Sequence, residues 1–216
     1  MNIQKKTDLQ GNESFKDKDK NCLYLQVVGG LAFPSHKPGH LVIIAEDLHP
    51  DPAFKKRHLH LLAEHEHFDL TKLLRKATEY IGSIGFKNFY GELTTDNQRF
   101  LTMFNSDSRK NHHPGIHLAS APYTDNQSIG FHVNLLHSLL QPNQKLLHLG
   151  DNSKIPSYLQ EIQNENVTNA KNTEYPAVAA LGYAAFALTI WHSHKKRTNK
   201  LKKRRHDPHS RFRRKL

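Results

Sequence analysis

The stretch from Glu174 to Trp191, Glu-Tyr-Pro-Ala-Val-Ala-Ala-Leu-Gly-Tyr-Ala-Ala-Phe-Ala-Leu-Thr-Ile-Trp, constrains this chain more than any other. It is the longest apolar run in the sequence, and a dense basic segment follows it directly. Three structures can use such a run: a buried helix that closes a domain, a membrane anchor, or a helix whose first turn carries an acid into an active site. Tyr175 to Trp191 is 17 residues, at the lower edge of the roughly 17–25 that span a bilayer. Six of them are Ala and one is Gly, so the transfer energy is small. The composition therefore predicts a buried domain helix and no membrane partner. Ala177, Ala180, Ala184 and Ala187 allow close approach to a sheet. Pro176 suits a first helical turn, and Thr173 or Glu174 can serve the exposed N–H groups there.

Charge divides the chain. The 216 residues carry a formal charge of +11, from 31 Lys and Arg against 20 Asp and Glu. Lys195 to Leu216 holds 12 of the basic residues and one acid, Asp207, which leaves 19 of each sign in residues 1–194. The folded part is thus neutral and the basicity is appended. Cys22 is the single cysteine. It excludes an internal disulfide framework and multi-cysteine zinc sites, and it suits a reducing cytoplasm. Residues 1–21 mix Lys with acids around no apolar segment. They are not a secretory signal and read as a disordered leader.

Hydrophobic periodicity orders the rest. Cys22–Val28 reads as a strand ended by Gly29-Gly30, His40–Ala45 as a strand buried on both faces, and Arg57–Glu64 as a third strand. Leu70, Leu73, Leu74, Ala77, Ile81 and Ile84 recur at helical spacing behind Asp69, a candidate N-cap. Phe86–Gly91 is a short strand, and Thr95-x-x-Gln98 is a capping-box pattern opening a helix through Phe104. Residues 105–114 read as loop and Gly115–Ala119 as a strand. A helical stripe follows at Ile129, Val133, Leu136 and Leu140, then a strand at Lys145–Leu149 and a helix over residues 153–163. The fold class expected is α/β: a three-stranded antiparallel meander, then alternating strands and helices, in one mixed sheet flanked by helices. The domain spans residues 22–191, and residues 192–216 form a basic disordered tail.

Several chemistries find no anchor. There is no phosphate-binding Gly-x-x-x-x-Gly-Lys-Ser/Thr and no Gly-x-Ser-x-Gly nucleophile elbow. Histidine is frequent, at 17 residues. His58-x-His60 and His65-x-His67 put paired imidazoles on one side of an extended segment, a spacing that can hold a metal. The two pairs have opposite parity, however, and one regular strand points them to opposite faces. Solvated or weakly paired histidines are the expectation. The tail clusters Lys195, Lys196 and Arg197; Lys202, Lys203, Arg204 and Arg205; and Arg213, Arg214 and Lys215 are expected to neutralise nucleic-acid phosphates. Phe212 is the only aromatic among them, so base stacking is not expected.

The order of these strings resembles the nuclease domain of phage terminase large subunits, over about residues 23–190. The strings are Val27-Val-Gly-Gly-Leu-Ala32 turning into His40-Leu-Val-Ile-Ile44, then Asn88-Phe-Tyr-Gly-Glu92. His132–Leu140, Lys145–Leu149 and Ile155–Ile162 follow, and Glu174-Tyr-Pro-Ala-Val-Ala-Ala-Leu-Gly-Tyr-Ala184 closes the series. The resemblance implies an RNase H-like fold, double-stranded DNA as partner together with other phage packaging proteins, and hydrolysis by two Mg2+ or Mn2+ ions. Clustered acids from three elements would hold those ions. Carried over by position, the first acid falls on Gly30 and the second on Glu92. The third falls on Tyr175 or Pro176, with Glu174 one or two residues early. Glu92 and Glu174 are the catalytic and metal-ligand candidates this implies, and activity is expected to be reduced or lost. The alternative is a non-catalytic nucleic-acid-binding or assembly protein with a basic tail.

Overall fold

The strand that should be buried on both faces is the backbone of the sheet. In a computed structural model, which describes residues 2–9, 11–33, 36–47, 58–120, 129–143, 145–164 and 174–189, this strand is β4 (Gly39–Asp47), buried from Gly39 to Glu46. β3 (Cys22–Ala32) and β5 (Leu59–His67) flank it, both antiparallel. β6 (Asn88–Gly91) runs parallel to β3, and β7 (His117–Ser120) runs parallel to β6. The order β5-β4-β3-β6-β7, a meander followed by two strands parallel to its first, is the mixed sheet expected from the sequence, in the RNase H-like strand order that the resemblance implies. β8 (Leu147–His148) adds a parallel edge beside β5.

Two expectations fail in the first third of the chain. Residues 1–21 are not a disordered leader: β1 (Ile3–Thr7) and β2 (Glu13–Asp17) form a hairpin, and β2 pairs with Cys22–Tyr24 of β3. Ile3 and Phe15 are buried in the core and anchor it. These two apolar residues lie among charged ones, so composition hides a strand whose single core-facing side chain suffices. Gly29-Gly30 does not end β3 either. Both glycines lie inside the strand, paired with Ile43 and Val42, because helix and ring packing there leave no room for a side chain.

β5 also departs from a regular strand. Ile43 pairs with Ala63 and Ile44 with Leu61, so Leu62 is an extra residue, a β-bulge. The bulge reverses the parity, and His60 and His65 share a face. The expectation of opposed pairs assumed a strand without a bulge.

Helices cover both faces. α1 (Leu70–Ile84) buries the predicted stripe against Leu41, Ile43 and Ala45, with Asp69 Oδ1 accepting from Thr71 and Lys72 N–H. α2 (Thr95–Lys110) is capped by Thr94 rather than Thr95 and runs through most of the expected loop. On the opposite face lie α3 (Ile129–Leu140), α4 (Ile155–Asn164) and α5 (residues 176–189). α5 is the apolar run, and every residue from Tyr175 to Leu188 is buried. Among the described residues no helix is long and apolar enough to cross a membrane.

α3 meets α5 at an unusual contact. His132 is fully buried, its ring lies edge-on 4.7 Å from Tyr183, and neither ring nitrogen has a hydrogen-bond partner. It fits because Gly182 opposes it; a Cβ there would fall 2.2 Å from His132 Nδ1. Burial lowers its pKa to about 4, so the native ring is neutral while the unfolded one titrates near 6.5. The stability this neutrality preserves is present above pH 6.5 and is lost as pH falls toward 4, in total about 3 kcal/mol. His132→Leu should remove that acid loss, measured as urea unfolding at pH 7 and pH 4.5. An unchanged acid slope would contradict the assignment.

Candidate functional site

β3 and β6 finish at the same end of the sheet, where Gly91 pairs with Leu31 and Ala32 pairs with His40 at the start of β4. α5 also begins there. Carboxyl ends of sheet strands are where such folds gather their chemistry. The three positions singled out by the resemblance, Gly30, Glu92 and the Glu174–Pro176 turn, all belong to elements that meet at or near this end.

Gly30 decides the comparison. A Cβ on Gly30 would lie 1.9 Å from the backbone oxygen of Ala180 and 3.0 Å from Val42 Cγ2. The backbone of α5 therefore fills the space that a carboxylate on this strand would need. Alanines at Ala177, Ala180 and Ala184 let the helix come that close, as the small-residue face predicts. The neighbouring Gly29 is filled from the other face by the ring of Phe89, 2.3 Å from a Cβ.

Glu92 follows β6 and is half-buried, its carbonyl accepting from Asn97 Nδ2 at 3.0 Å. Glu174 is exposed ahead of α5, and its carbonyl accepts from Lys37 Nζ at 2.6 Å. Lys37 Nζ also lies 5.2 Å over the buried ring of Tyr175, one of the two positions, with Pro176, on which the resemblance puts the last acid. Glu174 lines a cavity at this end and Glu92 does not. Among the described residues no three His, Cys, Asp or Glu side chains are grouped to hold a metal ion. The residues present do not fit a two-metal carboxylate centre, because its first ligand position is occupied by helix backbone.

The cavity, about 150 Å³, is bounded by His40, Glu66, Tyr158, Glu161 and Glu174. His40 is buried, and its Nε2 lies 3.9 Å from Glu66 Oε2. Burial lowers the His40 pKa to about 4 against the pull of Glu66, so the ring is neutral at pH 7. Glu66 accepts from Lys154 Nζ at 3.0 Å and from the Tyr158 hydroxyl at 3.5 Å. Burial raises the Glu66 pKa, but the Lys154 hydrogen bond with the His40 and Tyr158 interactions outweighs it, and the net shift is downward. The wall thus combines a neutral buried base with an ionised carboxylate. The sequence marks this group only faintly. Its signals were a histidine opening a doubly buried strand and the Glu64-x-Glu66 alternation after the bulge. Ser153 and Lys154, just before α4, bind this alternating pair, with Ser153 Oγ donating to Glu64 at 2.7 Å. The tail cations Lys195, Lys196, Arg197, Lys202, Lys203, Arg204, Arg205, Arg213, Arg214 and Lys215 lie outside the described residues.

No protein-family model and no curated protein matches the chain. Among solved structures, the chain is similar to the fowlpox virus Holliday junction resolvase, at 9% identity and a TM-score of 0.34, covering 78% of this chain and 99% of that one. A likeness this loose does not by itself assign a common fold or activity.

Proposed function

We propose that this chain is a double-stranded-DNA-binding protein of terminase-nuclease-like kind, serving phage DNA processing or packaging, in which cleavage has been lost. The observation that carries the reading is the Gly30–Ala180 contact within an RNase H-like strand order. The fold keeps the frame in which such sites are built, and α5 occupies the place of the first acid. Mg2+ or Mn2+ would be needed for cleavage, and Glu92 and Glu174 alone supply too few oxygen donors and too little negative charge. DNA contact rests on the tail, where 12 basic residues follow a neutral domain. Other packaging proteins are the partners such a module would meet.

Duplex binding tests the first half. A fluorescent linear duplex should bind the full chain at 50 mM salt without sequence preference, followed by anisotropy. Absence of binding at that salt would sink the proposal.

A further inference from the structure

β8 is two residues long, yet it joins the α4 side of the molecule to the sheet. Leu59 pairs with Leu147 and His60 with His148, and the Leu59 N–H donates to the Leu146 carbonyl at 2.6 Å. Three imidazoles lie along this seam. His58 Nδ1 and His148 Nε2 are 2.7 Å apart. The His148 ring stacks on His58 at 5.0 Å and 19°, and on His60 at 4.8 Å and 13°. His60 Nε2 faces Asp47 Oδ2 at 3.7 Å, and its ring lies 5.6 Å from the Tyr24 ring. The charges near the stack are Asp47 from β4, Lys20 from the β2–β3 turn and Lys145 ahead of β8. Asp17 and Cys22 lie near Tyr24 behind it. Two of the nearer three charges are positive. None of these groups belongs to the His40 cavity.

Two nitrogens 2.7 Å apart share one proton, so one donates and the other accepts. A neutral pair satisfies this, and so does a pair with one added proton. A second added proton puts N–H on both nitrogens. The hydrogen bond then becomes a repulsive contact between two stacked cations, with Lys20 and Lys145 of the same sign nearby.

We propose that His58, His60 and His148 form an acid-opened latch: neutral rings hold β8 on β5, and multiple protonation releases it. Burial lowers the pKa of both His60 and His148, and mutual repulsion of the rings lowers them further. The sign is that of a depressed histidine: the latch is intact above about pH 6.5, the ordinary imidazole value, and is lost as pH falls below it. Ser153 and Lys154 follow β8 and hold Glu64 and Glu66, so opening the latch loosens one wall of the His40 cavity. Ile155 and Leu159 of α4 keep their apolar anchorage, which makes the opening local.

Hydrogen exchange of the full chain tests this. Protection factors, which remove the intrinsic pH dependence of exchange, are compared for peptides covering residues 58–61 and 145–149 against β4, at pH 7.5 and pH 5.5. The expected result is about a tenfold or larger loss of protection at the seam, with β4 unchanged. His148→Phe and, as a second variant ahead of β5, His58→Phe should abolish the pH dependence. β4 carries His40 and α3 carries His132, so a global acid transition would also deprotect those elements and is separable from opening confined to the seam. Constant seam protection in the wild type would overturn the latch, as would a full loss in both variants.

Discussion

Gly30→Asp is expected to unfold the protein or to destabilise it by on the order of 4 kcal/mol, without creating nuclease activity. The Cβ alone meets a helix backbone oxygen at 1.9 Å, and backbone cannot swing aside as a side chain tip can. A carboxylate would add a charge beside Val42 and the backbone carbonyl of Ala180, which is itself an acceptor. Gly30→Ala should already cost about 3 kcal/mol by overpacking. Gly82→Ala is the control: it lies in α1 with nothing within 4 Å of a Cβ, and there the substitution should stabilise by somewhat under about 1 kcal/mol. Urea unfolding of the three variants measures the series. A Gly30→Asp protein as stable as wild type would show that α5 does not seal this strand.

Removing residues 195–216 is expected to abolish most duplex affinity. The net charge of the segment is +11 and that of the remainder is zero. If six to ten phosphates are neutralised, affinity for duplex DNA should fall about 10³–10⁵-fold between 50 and 200 mM salt, with a log–log slope near −0.9 per contact. The truncated chain should show a slope close to zero and weak binding at every salt. An unchanged slope after truncation would place the DNA contacts on the folded domain and refute the tail assignment.

The sequence was most informative where burial is extreme. β4, α1 and α5 were legible because a continuous apolar run, a stripe at helical spacing and an alanine-rich face each admit few structures. The β1–β2 hairpin was not, because Ile3 and Phe15 are its only core side chains among charged neighbours. The glycine pair in β3 was misread as a stop because glycine permits both a turn and a close approach, and only the position of Ala180 separates the two. At the site, the sequence placed a glycine where the resemblance implies an acid, but it did not show that helix backbone lies against that glycine. The His58–His60–His148 stack depended on pairing with a strand 90 residues away from His58. That pairing is not written in local spacing.

The most direct measurement is supercoiled plasmid incubated with the full chain and Mn2+ at a salt concentration where binding is complete. The plasmid should be retained in complexes and recovered supercoiled, with Glu92→Ala and Glu174→Ala indistinguishable from wild type. Accumulation of nicked plasmid that disappears with Glu92→Ala would contradict the account, since it would require a working metal centre beside the strand that α5 fills.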